Sequence, residues 1–423
     1  MSNESRKAEL GDVAVVGGGL GGLAAAAYLV RSGRSVTVFD TRKRLGGRST
    51  TDERRGFLFN QGPHALYVGG PAESVLTELG IKPVGGSPNT KGGTILRKGK
   101  LHLGPASVMT LLRTSGLSLG EKRETARFLA RLPKMNPEDH RHLPVQDWLD
   151  STLTTDGGRR LAEALVRLTT YTNHPSVLSA DVAIGQTQMG LTTGVLYLDG
   201  GWQQLVDRFA ATLEANPLVD FRLGTRISEL PDARAVVVAT GDPDSTGNLI
   251  GKRFTSSENG SGHPGLGPAA RAACLDLGVS FRPDTDLIIG VDEPLYLSNH
   301  SSGGRLAPDG RWHVAAVRYL GDGERGARPE LETFATRGWK NHELSEITVE
   351  SRYLHDMVAV SAVPVATGGG LAGRPRSTDS GHRNVFVVGD WVGPSGHLVD
   401  ASLASAKSAA MEADKLLDSA VVA

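Results

Sequence analysis

Apolar runs alternate with polar turns from the start of the chain. Val13-Ala14-Val15-Val16 is an unbroken apolar run, the pattern of a parallel strand buried on both faces. Residues 23–30 are Ala-rich and read as a helix, with Gly33 placed to cap its end. Residues 35–39 form a second apolar run that stops at Asp40. The order is strand, tight turn, helix, strand. Near the other end, residues 384–388 read as a strand finishing in Gly389-Asp390, and an Ala/Ser-rich helix runs to about residue 417. Residues 219–227 and 235–241 read as two more strands with a short connection. Between these blocks, residues 119–132, 145–153 and 158–170 have helical spacing, punctuated by Pro133, Pro137 and Pro144. Residues 286–298 and 312–320 read as strands, 331–337 as a helix and 357–365 as extended. The Gly/Ser-rich stretch 248–267 reads as a mobile loop, and the segment around Cys274 looks helical.

Composition narrows the class. Gly supplies 54 of 423 residues, well above the ~7% average. Lys+Arg and Asp+Glu are 46 each, so the net charge is zero and a broad basic field for nucleic acid is not expected. The single cysteine excludes an internal disulfide framework, and the histidines have no metal-ligand spacing, so no metal is expected. The first twelve residues are polar and mixed in charge, which reads as a cytoplasmic protein. No basic amphipathic helix stands out strongly enough to claim a membrane anchor.

The glycines after the first strand fit Gly17-x-Gly19-x-x-Gly22, with Leu20 inside the turn. The first allows the tight turn, the second lets backbone approach a pyrophosphate, and the third lets helix pack on strand. Free N–H groups at that helix end favour phosphate. Asp40 stands where an acid accepts from ribose hydroxyls and repels a 2′-phosphate, which disfavours NADP. NAD and FAD share this half-site, so the glycines alone do not separate them.

After Asp40 comes Thr41-Arg42-Lys43-Arg44-Leu45-Gly46-Gly47-Arg48. Here the sequence resembles the flavoprotein superfamily of amine oxidases, phytoene desaturases and protoporphyrinogen oxidases, which carries an acid and then x-Arg-x-x-x-Gly-Gly-Arg. The resemblance implies FAD, with Asp40 and Arg42 at the adenosine ribose and Gly46, Gly47 and Arg48 lining pyrophosphate and flavin. It takes the run from Gly56 to Gly62, Pro63, His64 and Ala65 past the flavin ring. His64 is either a group that orients substrate or acts as base, or a structural histidine bonded to backbone. Asn60 stands where the family often has an acid. Ile227, Thr240 and Gly241 fall beside the nucleotide. Gly389 and Asp390, with the N–H groups near Val399 and Asp400, match the family's second flavin motif. The family's usual β-meander between the strands at 219–227 and 235–241 is missing, and Lys340 lacks the surroundings of the family's lysine.

The implied fold is α/β, a discontinuous Rossmann-like FAD-binding domain (1–75, 197–265, 366–423) with an inserted α+β substrate domain (76–196, 266–365). The implied activity takes a hydride from a C–C or C–N unit of an apolar small-molecule substrate, with oxygen or another electron acceptor reoxidising the flavin. Two alternatives stay open: a redox-neutral flavin isomerase, and a non-catalytic binding protein like the dissociation inhibitors on the same fold.

Overall fold

The computed structural model describes residues 10–90, 92–254 and 262–420. Five parallel strands form one sheet in the order Val219–Leu223, Val36–Asp40, Val13–Val16, Ala235–Val238, Val385–Val387. Alternate residues of the central strand serve two cores. Val13 and Val15 pack with the helices Leu20–Arg31, Gln203–Glu214 and Val399–Ser419, whereas Ala14 and Val16 face Ile250, Phe254 and Trp391. Both faces are therefore covered, which is why the run has no polar alternation. From Val13–Val16 the chain crosses to Val36–Asp40 on one side. The strand on the other side, Ala235–Val238, arrives from far along the sequence. A crevice between diverging connections at strand C-terminal ends is the ordinary ligand position in such sheets.

The first helix spans Leu20–Arg31, three residues earlier than the Ala-rich pattern suggests. Gly22 is a packing residue inside it: a Cβ there would lie 1.9 Å from Gly17 O. The strand from Val219 ends at Leu223, not at residue 227, because Gly224 turns the chain at φ +71°. Residues 224–234 then connect directly to Ala235–Val238 with no intervening strand.

The second sheet has seven strands, ordered Thr348–Val360, Ala270–Val279, Trp312–Leu320, Leu295–Asn299, Leu287–Gly290, Thr94–Arg97, Lys100–Leu103. The two middle segments meet where Thr94–Arg97 runs parallel to Leu287–Gly290. Helices Val145–Thr152, Asp156–Thr170 and Ala180–Thr192 share a core with Ala270, Val360 and Val363 at one edge of the sheet.

Three expectations need correction. Cys274 lies in the interior strand Ala270–Val279, not in a helix. That strand pairs on both sides, and this pairing overrides the helical preference of its alanines and leucines. The extended stretch begins at Thr348, well before residue 357. Of the expected loop 248–267, the first residues close the helix Pro243–Ile250, while 255–261 lie outside the described residues.

Candidate active site

Gly17 adopts φ +116°, and a Cβ there would meet Ala239 O at 2.2 Å. The turn delivers the chain to Gly19, which precedes the first helix without a side-chain cap, and the first turn has no acid. Its open N–H groups and positive dipole end are suited to an anion. Leu20 itself is buried in the core, so it serves this end through its backbone. The Gly-Gly-Arg loop lies alongside: Gly46 N donates to Gly18 O at 2.8 Å, and Gly19 and Gly46 form a parallel bridge.

Asp40 closes the second strand. Its Oδ2 accepts from Gly18 N and its Oδ1 from Arg42 N, both at 2.7 Å. Each oxygen keeps a second lone pair for a ribose hydroxyl. The Arg42 side chain is exposed and its Nη1 reaches Gly47 O at 3.4 Å. Ile227 sits beyond the strand, packed on the core that contains Val16 and Val238.

The C-terminal motif arrives at the same crevice. Asp390, 3% exposed, pairs with the half-exposed Arg48 guanidinium. Asp390 Oδ2 also accepts from Ser361 N at 2.9 Å, while Ser361 Oγ donates to Gly241 O at 2.8 Å. Burial alone would raise the Asp390 carboxyl, but Arg48 and Ser361 hold it below the ordinary range. Beneath it, buried Arg374 donates to the main-chain oxygens of Asp390 and Gly396 at 3.0 and 2.8 Å. Burial lowers this guanidinium to about 10, so it remains charged at neutral pH. Thr240 Oγ1 bonds Thr246 Oγ1 at 2.7 Å, and Gly389 N donates to Ser405 Oγ at 3.2 Å.

A cavity of about 120 Å³ opens next to this pair, with His64, Trp202, Tyr171, Met357 and Leu398 among its walls. Pro63, Ala65 and Val399 line it too. Gly62 takes φ +89° where a Cβ would strike Met357 Sδ at 2.2 Å. His64 Nδ1 lies 2.9 Å from Gly62 O and donates to it, and the ring packs 5.0 Å from Trp202. Burial, first, pushes His64 below its ordinary value; Arg48 adds to this. The imidazole is therefore neutral at pH 7, and with Nδ1–H committed, Nε2 carries the lone pair. Asn60, in place of an acid, is structural. Its Oδ1 accepts from Thr51 Oγ1 and from Trp202 N at 2.7 and 2.9 Å, fixing the Trp202 wall.

Leu398 has φ +55° and ψ −131°, a backbone state that costs about 1–3 kcal/mol in a non-glycine residue. It is held in place from the side by buried His397, whose Nε2 bonds Thr170 O at 2.9 Å. Asp400 departs from its expected place. Its N–H donates to His397 O at 3.1 Å, and its carboxylate turns away to cap the helix Pro71–Glu78 through Ala72 N at 2.8 Å. The reason is geometric: as the second residue of the helix Val399–Ser419, Asp400 turns its side chain to the neighbouring helix rather than the crevice.

Behind His64 lies a buried polar group that the sequence did not disclose. Arg352 donates to Asp276 Oδ2 at 2.7 Å and to the main-chain oxygens of Phe59 and Asn60, five and four residues before His64. His313 Nε2 lies 3.2 Å from Asp276 Oδ1. Burial opposes ionisation of Asp276, but His313 and Arg352 outweigh it and hold the carboxyl at about 2. Ser361 and Arg374 were equally invisible, since neither sits in a motif. Trp202 directly follows the paired glycines Gly200 and Gly201, both at positive φ.

The model of the flavin-containing amine oxidoreductases matches residues 20–248, more than half of the chain. The chain belongs to this family. A chloroplastic protoporphyrinogen oxidase of Nicotiana tabacum is 29% identical over 234 residues, 52% of this chain and 42% of that protein. A putative flavin-containing monoamine oxidase of Mycobacterium tuberculosis is 32% identical over 170 residues, 37% of this chain and 36% of that one. The matches thus span less than half the length of these curated relatives. Cyclohexylamine oxidase from Brevibacterium oxydans superposes with a TM-score of 0.68 at 17% identity, covering 97% of this chain and 100% of that one. An oxidoreductase from Methanosarcina mazei gives 0.68 at 19%, covering 94% and 99%. These two superpositions establish the fold.

The cofactor of the family is FAD, and the residues present fit it. A Cβ added at Gly19 or Gly241 would meet nothing within 4 Å, and at Gly47 only Gly19 Cα at 3.5 Å. Three glycines from three separate turns thus border open space above uncapped helix N–H groups. The cavity alone is smaller than the ~300 Å³ of an ordinary ligand pocket, so the rest of the room lies in this glycine-edged groove. Asp40 would hold the ribose, Gly19 and Gly47 the pyrophosphate, and the Arg48–Asp390 pair the link to the cavity.

Proposed function

We propose that this flavin-containing family member is an oxidoreductase that removes a hydride from a C–C or C–N unit of an apolar organic substrate. Bound FAD would supply the hydride acceptor, with its electrons passing to oxygen or another acceptor. The substrate-binding part would be built from segments 76–196 and 266–365. Trp202, Tyr171, Met357 and Leu398 would hold the substrate and exclude water. His64, neutral with Nε2 as acceptor, would orient the substrate or take a proton from it.

The carrying observation is the chemistry of the cavity wall. No lysine lines it, and its one carboxylate, Asp390, is already paired with Arg48. Nothing there balances an ammonium substrate, which favours an uncharged carbon skeleton over a cationic amine. Mass spectrometry of the released cofactor, then anaerobic bleaching with panels of polyenes and amines, tests this. Bleaching of a bound flavin by the apolar panel supports the reading. A colourless protein that FAD does not reconstitute overturns it in favour of the binding-protein alternative. A flavin that a substrate perturbs without bleaching under anaerobic turnover points to the isomerase.

A further inference from the structure

We infer that the hairpin of helices Val108–Arg113 and Leu119–Arg131 docks the protein on an anionic lipid bilayer. Ten large apolar side chains are exposed among the described residues, and four fall within this hairpin: Val108 (78%), Met109 (55%), Leu112 (63%) and Leu119 (86%). Solvated clusters of this kind mark interaction sites. The two helices are tied together, since Lys122 Nζ donates to Leu112 O at 2.8 Å. Inside the pair, Leu111, Leu117 and Phe128 anchor it to the protein's cores, so the outer apolar residues are surplus to folding.

Charge identifies the occupant. Residues 97–134 hold nine Lys/Arg and two Glu, nine minus two or a net +7, within a chain whose total is zero. Both acids are turned inward: Glu121 pairs with Arg97 at 2.7 Å, and Glu124 accepts from Thr154 and Thr155. Leu119, Arg123, Arg127 and Arg131 recur every four residues on the exposed side of their helix. These three arginines and Arg113 make no ion pair among the described residues. An apolar helix face beside unpaired cations suits the boundary of acyl chains and anionic headgroups. It suits a nucleic acid poorly, since no aromatic side chain stands among the exposed residues of the patch. No helix among the described residues is long and apolar enough to cross a membrane, so the contact is a surface one. The hydrophobic pattern alone concealed this feature, because three of the four apolar residues sit on one helix and three of the four unpaired cations on the next.

The inference does not depend on the proposed reaction, and its test reads binding rather than turnover. The flavin-loaded full chain is sedimented with vesicles of phosphatidylcholine containing one quarter phosphatidylglycerol, and with pure phosphatidylcholine. Cosedimentation with the anionic vesicles, weakened by salt, is expected. Arg123→Gln, Arg127→Gln and Arg131→Gln combined should weaken it by about fivefold per charge. Val108→Ser, Met109→Ser and Leu112→Ser combined should abolish it, with the flavin spectrum of both variants unchanged. Equal binding by wild type and variants, or no binding at low salt, overturns the proposal. So does retention on heparin without vesicle binding, or a dimer that the serine variant converts to monomers while vesicles are ignored.

Discussion

Arg48 and Asp390 stand 342 positions apart and pair twice, Nη1 with Oδ2 at 3.2 Å and Nη2 with Oδ1 at 3.1 Å. This contact joins the two chain ends at the groove. Removing one member of such a pair strands the other, and the burial of Asp390 makes its loss of a partner the more damaging. Arg48→Ala should lower flavin affinity at least tenfold, and Arg48→Lys should recover part of it. The ratio of flavin to protein absorbance in purified variants measures this. Full loading of Arg48→Ala would remove the pair from the cofactor site.

The glycines of the first turn separate folding from cofactor binding. Gly22→Ala places its Cβ against Gly17 O, and the backbone there has no room to shift. It should destabilise the protein by several kcal/mol, seen as a large fall in Tm. Gly19→Ala meets nothing and should leave the Tm of flavin-free protein unchanged. It should nevertheless abolish flavin retention, because the methyl group enters the space over the helix N-terminus. Normal flavin loading of Gly19→Ala would place the pyrophosphate elsewhere.

His64→Ala should keep the flavin and slow its reduction by substrate about a hundredfold, the usual scale for a positioned acid or base. Because burial lowers the His64 pKa, the wild-type reduction rate should titrate below pH 6.5, not at it. Stopped-flow reduction across pH checks both statements. An unchanged rate in His64→Ala would leave this histidine with only its bond to Gly62.

Asp400 makes stability fall as pH rises. Burial, first, raises its folded pKa to about 6, above its unfolded value, so the folded state holds the proton more tightly. The folded protein therefore loses relative stability from pH 4 to 6, by roughly 3 kcal/mol in all. Asp400→Asn keeps an acceptor for Ala72 N–H and should remove that slope. Comparing Tm of the two proteins at pH 4.5 and 7.5 shows it. Parallel pH profiles would refute the assignment.

Two histidines act in the opposite sense. Burial lowers His300 to about 3 and His397 to about 4. Neither ring nitrogen of His300 has a hydrogen-bond partner among the described residues. An unfolded histidine gains its proton near pH 6.5, so stability is lost as pH falls below that value, by about 2 kcal/mol per histidine at pH 5. His300→Phe, which preserves the stack on Tyr197, should reduce the acid sensitivity by about 2 kcal/mol. Thermal unfolding at pH 5 and 7 measures it, and an unchanged difference would contradict the buried neutral state.

Local chemistry was readable along the chain. Val13–Val16, the Gly17 turn, Asp40 and the Gly46-Gly47-Arg48 loop lie within one strand–helix–strand unit, so short-range spacing already determines what they form. Helices such as Leu119–Arg131 and Val145–Thr152 appear where their periodicity places them. Side-chain direction and burial on a second side are long-range properties, and there the tertiary structure decided. Ala270–Val279 is a strand because it has partners on both edges, despite a helix-like composition. Asp400 caps a helix because Pro71–Glu78 packs against its own. Ser361, Arg374 and Arg352 reach the site through folding alone, carried there from outside every motif. The basic and apolar faces of the hairpin became one surface only when two helices, each unremarkable in sequence, were laid side by side.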